Sequence, residues 1–203
     1  MKLLSNSPIK VIAFDVFGTL AKITEKTSPY KKLIHWLHQQ GHTAHVNDAI
    51  TVMSIHGDFE DIAAHFGYHI PAPLLTELNA DLEFKLKQIQ LFDDTLSTLQ
   101  QLKTQGYTIV LCSNSARPYG IHISTLIPMV DLYAWSYEVH ACKPDSKIYQ
   151  YVIDQIHCKP EEVLFIGDTP LADVEGSRHF GMTARLINRK KGQQLTEILA
   201  DLL

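Results

Sequence analysis

Apolar residues along this chain follow two rhythms, and the rhythm changes twice. Val11–Phe14 is a short unbroken apolar run, the pattern of a strand buried on both faces. From about Ala21 to Gln90 the spacing turns helical, and no convincing strand is predicted there. "SPYKKLIHWLHQQG" has Pro29 near its start, apolar Leu33, Ile34 and Leu37, and Gly41 as a stop. "GDFEDIAAHFG" and "PAPLLTELNADLEFKLKQIQ" keep the same period. From Leu91 onward helices and strands alternate. "DDTLSTLQQLKTQG" predicts a helix capped by Asp93 or Asp94, "YTIVLCSN" a buried strand, "RPYGIHISTLI" a helix and "YAWSYEV" a strand. "DSKIYQYVIDQI" then reads as a helix, "EEVLFIGD" as a strand, "LADVEGSRHFG" as a helix and "TARLIN" as a last strand.

Alternation of this kind implies an α/β chain with a parallel sheet covered on both faces, its first strand separated from the rest by a helical insertion. At 203 residues and 45% hydrophobic, the chain can bury one ordinary core plus a small accessory domain. A net charge of -4 and a pI near 6.2 supply no global attraction for nucleic acid or an anionic membrane. The apolar stretch of "MKLLSNSPIK" is too short for a signal peptide, and no run approaches bilayer length. Cys112, Cys142 and Cys158 are odd in number and lack metal-ligand spacing, so reduced thiols in a cytoplasmic protein are expected.

Ligands of open parallel sheets bind beyond the carboxyl ends of the strands. Three strands here end in chemistry: Asp15 after "VIAF", Ser113-Asn114 after "TIVLC" and Asp168 after "VLFIG". Lys143 follows a fourth strand, just before Pro144. Two carboxylates, a hydroxyl, an amide and an ammonium on one rim suit a phosphoryl group. One carboxylate can attack, while two together can hold Mg²⁺ through hard oxygen ligands. The hydroxyl, the lysine and loop N–H groups can hold the anionic oxygens.

Four ordered motifs, "DVFGTL", "CSN", "KPDSKIY" and "GDTPLADVEGSRHFGM", resemble those of the haloacid dehalogenase superfamily of hydrolases. The resemblance covers nearly the whole chain. It implies a Rossmann-like parallel-sheet core of residues 1–20 and 91–203, with a small all-helical cap of the subfamily I type at residues 21–90. By the same resemblance Asp15 would be the nucleophile, Ser113 and Asn114 would hold the phosphate, and Lys143 would neutralise charge. Mg²⁺ would bind Asp15, Asp168 and the backbone carbonyl of Phe17, and Asp173 would orient Lys143 or the metal's water. The implied activity is that of a Mg²⁺-dependent phosphatase acting on a small phosphate ester.

Phe17 departs from that pattern. Phosphatases of the family usually carry there a second aspartate, which protonates the leaving oxygen and later activates water. A phenyl ring does neither. The halide-displacing branch also has an aromatic residue at this place, because halide leaves without a proton. That branch acts without metal, however, and "GDTPLAD" resembles the metal-binding form of the fourth motif. It also grips its substrate with a cap arginine, and no arginine precedes Arg117; the cap lysines Lys22, Lys26, Lys31 and Lys32 lack the bidentate fork. A relative that cleaves carbon–phosphorus bonds needs a Schiff-base lysine in its cap, and none is identifiable here. A carbon–halogen hydrolase, and a phospho-ligand-binding protein whose catalysis decayed with the lost acid, therefore stand beside the phosphatase as alternatives.

The insertion is rich in histidine, and "HWLHQQGHTAH" brings His35, His38, His42 and His45 together. Gly41 interrupts their helix and no cysteine or carboxylate completes a zinc site, so a histidine-rich polar surface is expected. A cap histidine facing Asp15 would have a pKa suited to replacing the missing acid. Arg117 is either a substrate-phosphate contact or an exposed helix start. Cys112 and Cys142 flank the rim as small packing residues.

Overall fold

The computed structural model describes residues 9–24 and 28–203. Most of the stretch "MKLLSNSPIK" and Lys26 lie outside the described residues. Five parallel strands form the main sheet: β1 (Val11–Phe14), β4 (Thr108–Ser113), β5 (Leu132–Trp135), β6 (Val163–Gly167) and β7 (Thr183–Leu186), in the order β5-β4-β1-β6-β7. β1 is central and buried at all four positions. Its alternate side chains serve two cores: Ile12 and Phe14 belong to one cluster, and Val11 and Ala13 to the other. Helices cover both faces, which is why the strands read as apolar runs rather than as alternation. α5 (Thr95–Thr104), α6 (Arg117–Leu126) and α10 (Leu195–Ile198) pack on the first face, and α8 (Ser146–Ile156) and α9 (Gly176–Phe180) on the second.

Register sets the rim. Phe14 pairs with Leu111 of β4 and with Ile166 of β6. The three strands therefore end almost level, and Asp15 emerges between Ser113 and Asp168.

Helices α1 (Pro29–Gln39), α2 (Asp48–Ser54), α3 (Phe59–His65) and α4 (Ala72–Lys87) form the inserted region. α1 begins where Ser28 accepts a hydrogen bond from Lys31 N–H, buries Tyr30, Leu33 and Leu37, and ends at Gly41, whose φ of +107° suits only glycine without strain. α3 opens with a reciprocal capping box between Asp58 and Asp61.

Four local expectations are corrected. The insertion is not free of strands at its edges: β2 (Ala21–Ile23) and β3 (Ile89–Leu91) pair antiparallel where the chain leaves and returns. Three residues are too few to show a period of two. The run "YAWSYEV" is strand only as far as Trp135; Ser136–Val139 turns into the short helix α7. Tyr133, Trp135 and Tyr137 stack in series, at 5.6 and 6.3 Å between ring centroids, so their alternation imitates a longer strand. "LADVEGSRHFG" is not one helix: Pro170–Glu175 forms a wide π-helical turn before α9. Asp94 does not cap α5 with its side chain. It forms a bidentate pair with Arg189 (both 2.8 Å) and accepts from Leu195 N–H, fastening the C-terminal segment to the β3–α5 junction. No helix among the described residues is long and apolar enough to cross a membrane.

Candidate active site

Asp15, Ser113, Lys143 and Asp173 converge on a single contact set at the rim. Lys143 Nζ donates to Asp15 Oδ1 (2.8 Å), Asp173 Oδ1 (2.7 Å) and the Cys112 carbonyl (2.7 Å), so all three of its protons are used. Ser113 Oγ donates to the same Asp15 oxygen at 3.0 Å. Asp173 is held from its other side by Thr169 N–H at 2.8 Å, a consequence of the wide turn that starts at Pro170. The side chains of Lys143 and Asp173 are each 1% exposed and that of Asp15 is 11% exposed, so the group faces outward only through Asp15. The Phe165 ring lies beneath the ammonium at 5.0 Å.

Asn114 takes a different place from the one expected. Its amide forms two hydrogen bonds with the backbone of Lys143, from Lys143 N–H (2.7 Å) and to Lys143 C=O (2.9 Å). It fixes the loop that carries the lysine, and Thr169 and Cys112 join it as supports that sequence reasoning missed. Each of the two contributes only a main-chain group, which leaves no trace in residue type.

Asp168 completes a trio. Asp15, Asp168 and Asp173 each offer a carboxylate oxygen within 4.8 Å of the others. Burial pushes Asp15 up to about 6, with the charges of Asp173 and Asp168 adding and Lys143 opposing. Asp168 is raised as well, by burial and then by Asp173. Burial alone would depress Lys143, but Asp15 and Asp173 hold it above its ordinary value, so it stays charged. Three carboxylates facing one ammonium leave excess negative charge, and a hard dication would relieve it. The donors are all oxygens, and the turn after Asp15 comes close to them. Gly18 has φ +89°, and a Cβ built on it would lie 2.1 Å from Asp168 Oδ2. The residues present fit Mg²⁺.

Gly18→Ala therefore strains the backbone and pushes Asp168 aside. A loss of about 1–3 kcal/mol of stability is expected, together with weaker Mg²⁺ binding. Thermal melts with and without Mg²⁺ would measure both, and an unchanged Mg²⁺-induced shift would refute the close approach.

Phe17 is part of an aromatic wall. Its ring meets Tyr119 edge-on (6.0 Å, 83°), Tyr119 lies against Tyr30 at 5.9 Å, and Tyr30 lies against Phe59 at 4.9 Å. Phe17, Tyr30 and Tyr119 line a cavity of about 340 Å³ between the insertion and the rim loops, with Ile34, Val52 and Met53 from the helices and Asn114 and Ala116 from the core. No histidine is among its described lining residues. The Tyr30 hydroxyl is buried without a hydrogen-bond partner. Burial, with Tyr119 adding, raises it well above its ordinary value, so it is a donor that keeps its proton. Arg117 opens α6 and is not among the lining residues. All three cysteines are unpaired, and burial pushes the Cys112 thiol up to about 12.

Fold and site together present a Rossmann-like sheet with carboxylates gathered at its strand ends. The chain belongs to the haloacid dehalogenase-like hydrolases, whose family model matches residues 9–181. It is 24% identical over 199 residues to (S)-2-haloacid dehalogenase 1 of Pseudomonas sp. (strain CBS-3), covering 90% of this chain and 86% of that one. It is 30% identical over 125 residues to the glyceraldehyde 3-phosphate phosphatase of Methanothermobacter thermautotrophicus. That match covers 58% of this chain and only 51% of the phosphatase, about half its length. Among solved structures, a family enzyme from Bacteroides thetaiotaomicron in complex with magnesium and inorganic phosphate superposes with a TM-score of 0.65 at 15% identity, covering 94% of this chain and 98% of that one.

Proposed function

We propose that this enzyme is a Mg²⁺-dependent phosphatase of a small phosphorylated metabolite, with residues 1–20 and 91–203 as catalytic core and 21–90 as cap. One observation carries the reading: Lys143 is locked between Asp15 and Asp173 while Asp168 stands beside them to complete an all-oxygen trio. A carboxylate so placed attacks phosphorus, and the leaving oxygen departs with its bonding electrons. Water then hydrolyses the aspartyl-phosphate. Ser113 and Lys143 both donate to Asp15 Oδ1 and so fix the carboxylate, and once Asp15 carries the phosphoryl group these same two donors can turn to the transferred oxygens. Asp173 keeps the ammonium in place and Asn114 keeps its loop in place. Asp15, Asp168 and the Phe17 carbonyl would hold Mg²⁺, which when bound offsets phosphoryl charge. Support also comes from the phosphatase relative and from the magnesium and phosphate bound by the Bacteroides enzyme. The three unpaired thiols favour the cytoplasm as its compartment.

Phe17 and the longer dehalogenase match favour a second reading, displacement of halide from a 2-haloacid at Asp15. A screen of phosphate esters and 2-chloroacids, each with and without Mg²⁺, separates the two. The phosphatase reading expects turnover of esters that EDTA abolishes. Chloroacid turnover that survives EDTA would replace it.

Metal binding should also depend on pH. The Asp15 carboxyl holds its proton up to about 6, so below that pH proton and Mg²⁺ compete for one group. Mg²⁺ affinity is expected to fall by up to about tenfold per pH unit below 6 and to level off above 7. Calorimetric titrations at several pH values would test this, and a flat profile between pH 5 and 7 would remove Asp15 from the metal site.

A further inference from the structure

Two of the four clustered histidines converge on a carboxylate that their spacing in the chain does not connect with them. His38 stands in the last turn of α1, and Gly41 reverses the chain so that His42 N–H donates to the Leu37 carbonyl at 3.0 Å. The two imidazoles then lie almost parallel, 5.7 Å apart with 24° between planes. Asp48, the first residue of α2, faces both. Its Oδ2 is 3.0 Å from His38 Nε2 and its Oδ1 is 3.1 Å from His42 Nε2. His45 N–H donates to Oδ2 at 3.0 Å and fixes the carboxylate's orientation.

These three side chains have the chemistry and spacing of a transition-metal site. All the ligand atoms lie within 4.8 Å of one another. With zinc–ligand bonds of about 2.0–2.1 Å, adjacent ligands of a tetrahedral ion stand about 3.3 Å apart. The two nitrogen–oxygen separations, each to a different oxygen of Asp48, are close to that spacing, so an ion held by both rings and one Asp48 oxygen enters by a shift of the rings toward that oxygen. Asp48 is nearly buried, at 9% exposure, whereas His38 and His42 are 32% and 21% exposed, so one side remains open to water.

We propose that His38, His42 and Asp48 bind Zn²⁺ or a similar divalent transition metal, with water as fourth ligand. Imidazole nitrogens select this class over Mg²⁺. The site is distinct from the carboxylate trio and independent of the catalytic reading. Its place in the fold gives it a role: α1 supplies Tyr30 and Ile34 to the cavity and α2 supplies Val52 and Met53. An ion joining the end of α1 to the start of α2 ties two cavity walls together.

The test uses the full chain in saturating Mg²⁺, which occupies the all-oxygen trio, titrated with Zn²⁺ and with Co²⁺. One equivalent of Zn²⁺ is expected to bind, and Co²⁺ should give the intense visible absorption of four-coordinate geometry. At a hundredfold excess over Kd, Zn²⁺ should raise Tm by roughly 5 °C or more. His42→Ala and Asp48→Asn should each lose these responses. Should either substitution prevent folding, histidine-selective ¹⁵N spectra of the wild-type protein decide alone: the Nε2 resonances of His38 and His42 must move with Zn²⁺. Uptake that leaves those resonances unchanged, a six-coordinate cobalt spectrum, or equal Zn²⁺ uptake by the wild-type and substituted proteins would overturn the proposal.

Discussion

Asp15→Asn is expected to leave a folded protein whose turnover of phosphate esters falls by at least about 10³-fold. The amide keeps the shape of the carboxylate and still presents an oxygen to Ser113 Oγ and Lys143 Nζ, now 3.0 and 2.8 Å away. What it loses is the charge that the proposed mechanism needs for attack. Stability should respond in the opposite direction. Folding raises the Asp15 carboxyl from an ordinary value of about 4 to about 6, so the native chain binds that proton more tightly than the unfolded one. The stability linked to it is complete below the unfolded value and is lost as pH rises through about 6. Asparagine has no proton to lose. The metal-free Asp15→Asn protein should therefore melt no lower than wild type at pH 7, and the pH slope of its Tm between 4 and 6 should be shallower. Beryllium fluoride, a phosphoryl mimic, should add to the wild-type carboxylate and not to the amide. Near-normal turnover in Asp15→Asn would mean that another residue attacks.

Phe17 should make the rate depend steeply on the leaving group. Among the described residues no carboxylate or histidine lines the cavity beside Phe17, and burial holds the Tyr30 hydroxyl above its ordinary value, which makes it a poor proton donor to a leaving group. Aryl and acyl phosphates, whose leaving groups are weak bases, should be hydrolysed; alkyl phosphates should be poor substrates. The same lack should slow water attack on the aspartyl-phosphate, so that a burst precedes steady turnover. Phe17→Asp is expected to raise alkyl-phosphate turnover by up to about 10²-fold. It also removes the edge contact with Tyr119, at a cost of about 0.5–1.5 kcal/mol. If the wild-type enzyme cleaves alkyl phosphates as readily as aryl ones, another group donates the proton and Phe17 is no handicap.

Much of the active-site rim was legible in the chain because its chemistry is bound to strand ends. An apolar run long enough for one strand, followed by a polar residue and a turn, places that residue at the edge of a parallel sheet. Asp15, Ser113 and Asp168 were found in this way, whereas the central place of the Asp15 strand came only from the sheet order. Lys143 was read from its place after a fourth strand and Asp173 came from motif resemblance, and the structure puts both in contact with the others. The partners that sequence could not supply are those set by packing between helices and loops. Asn114 has a side chain able to hold phosphate, yet it clamps the Lys143 backbone, because the loops after β4 and α7 lie side by side. Asp94 reads as a helix cap, yet Arg189, far along the chain, reaches it. Asp48 stands only three residues beyond His45, but its meeting with His38 and His42 depends on the reversal at Gly41 and the entry angle of α2. The aromatic wall likewise exists only once α1 closes over α6, bringing Tyr30 to Tyr119 and Phe17. Strand-end chemistry is local and repeats with the backbone period, whereas these contacts depend on the relative placement of whole elements, which no single stretch of sequence encodes.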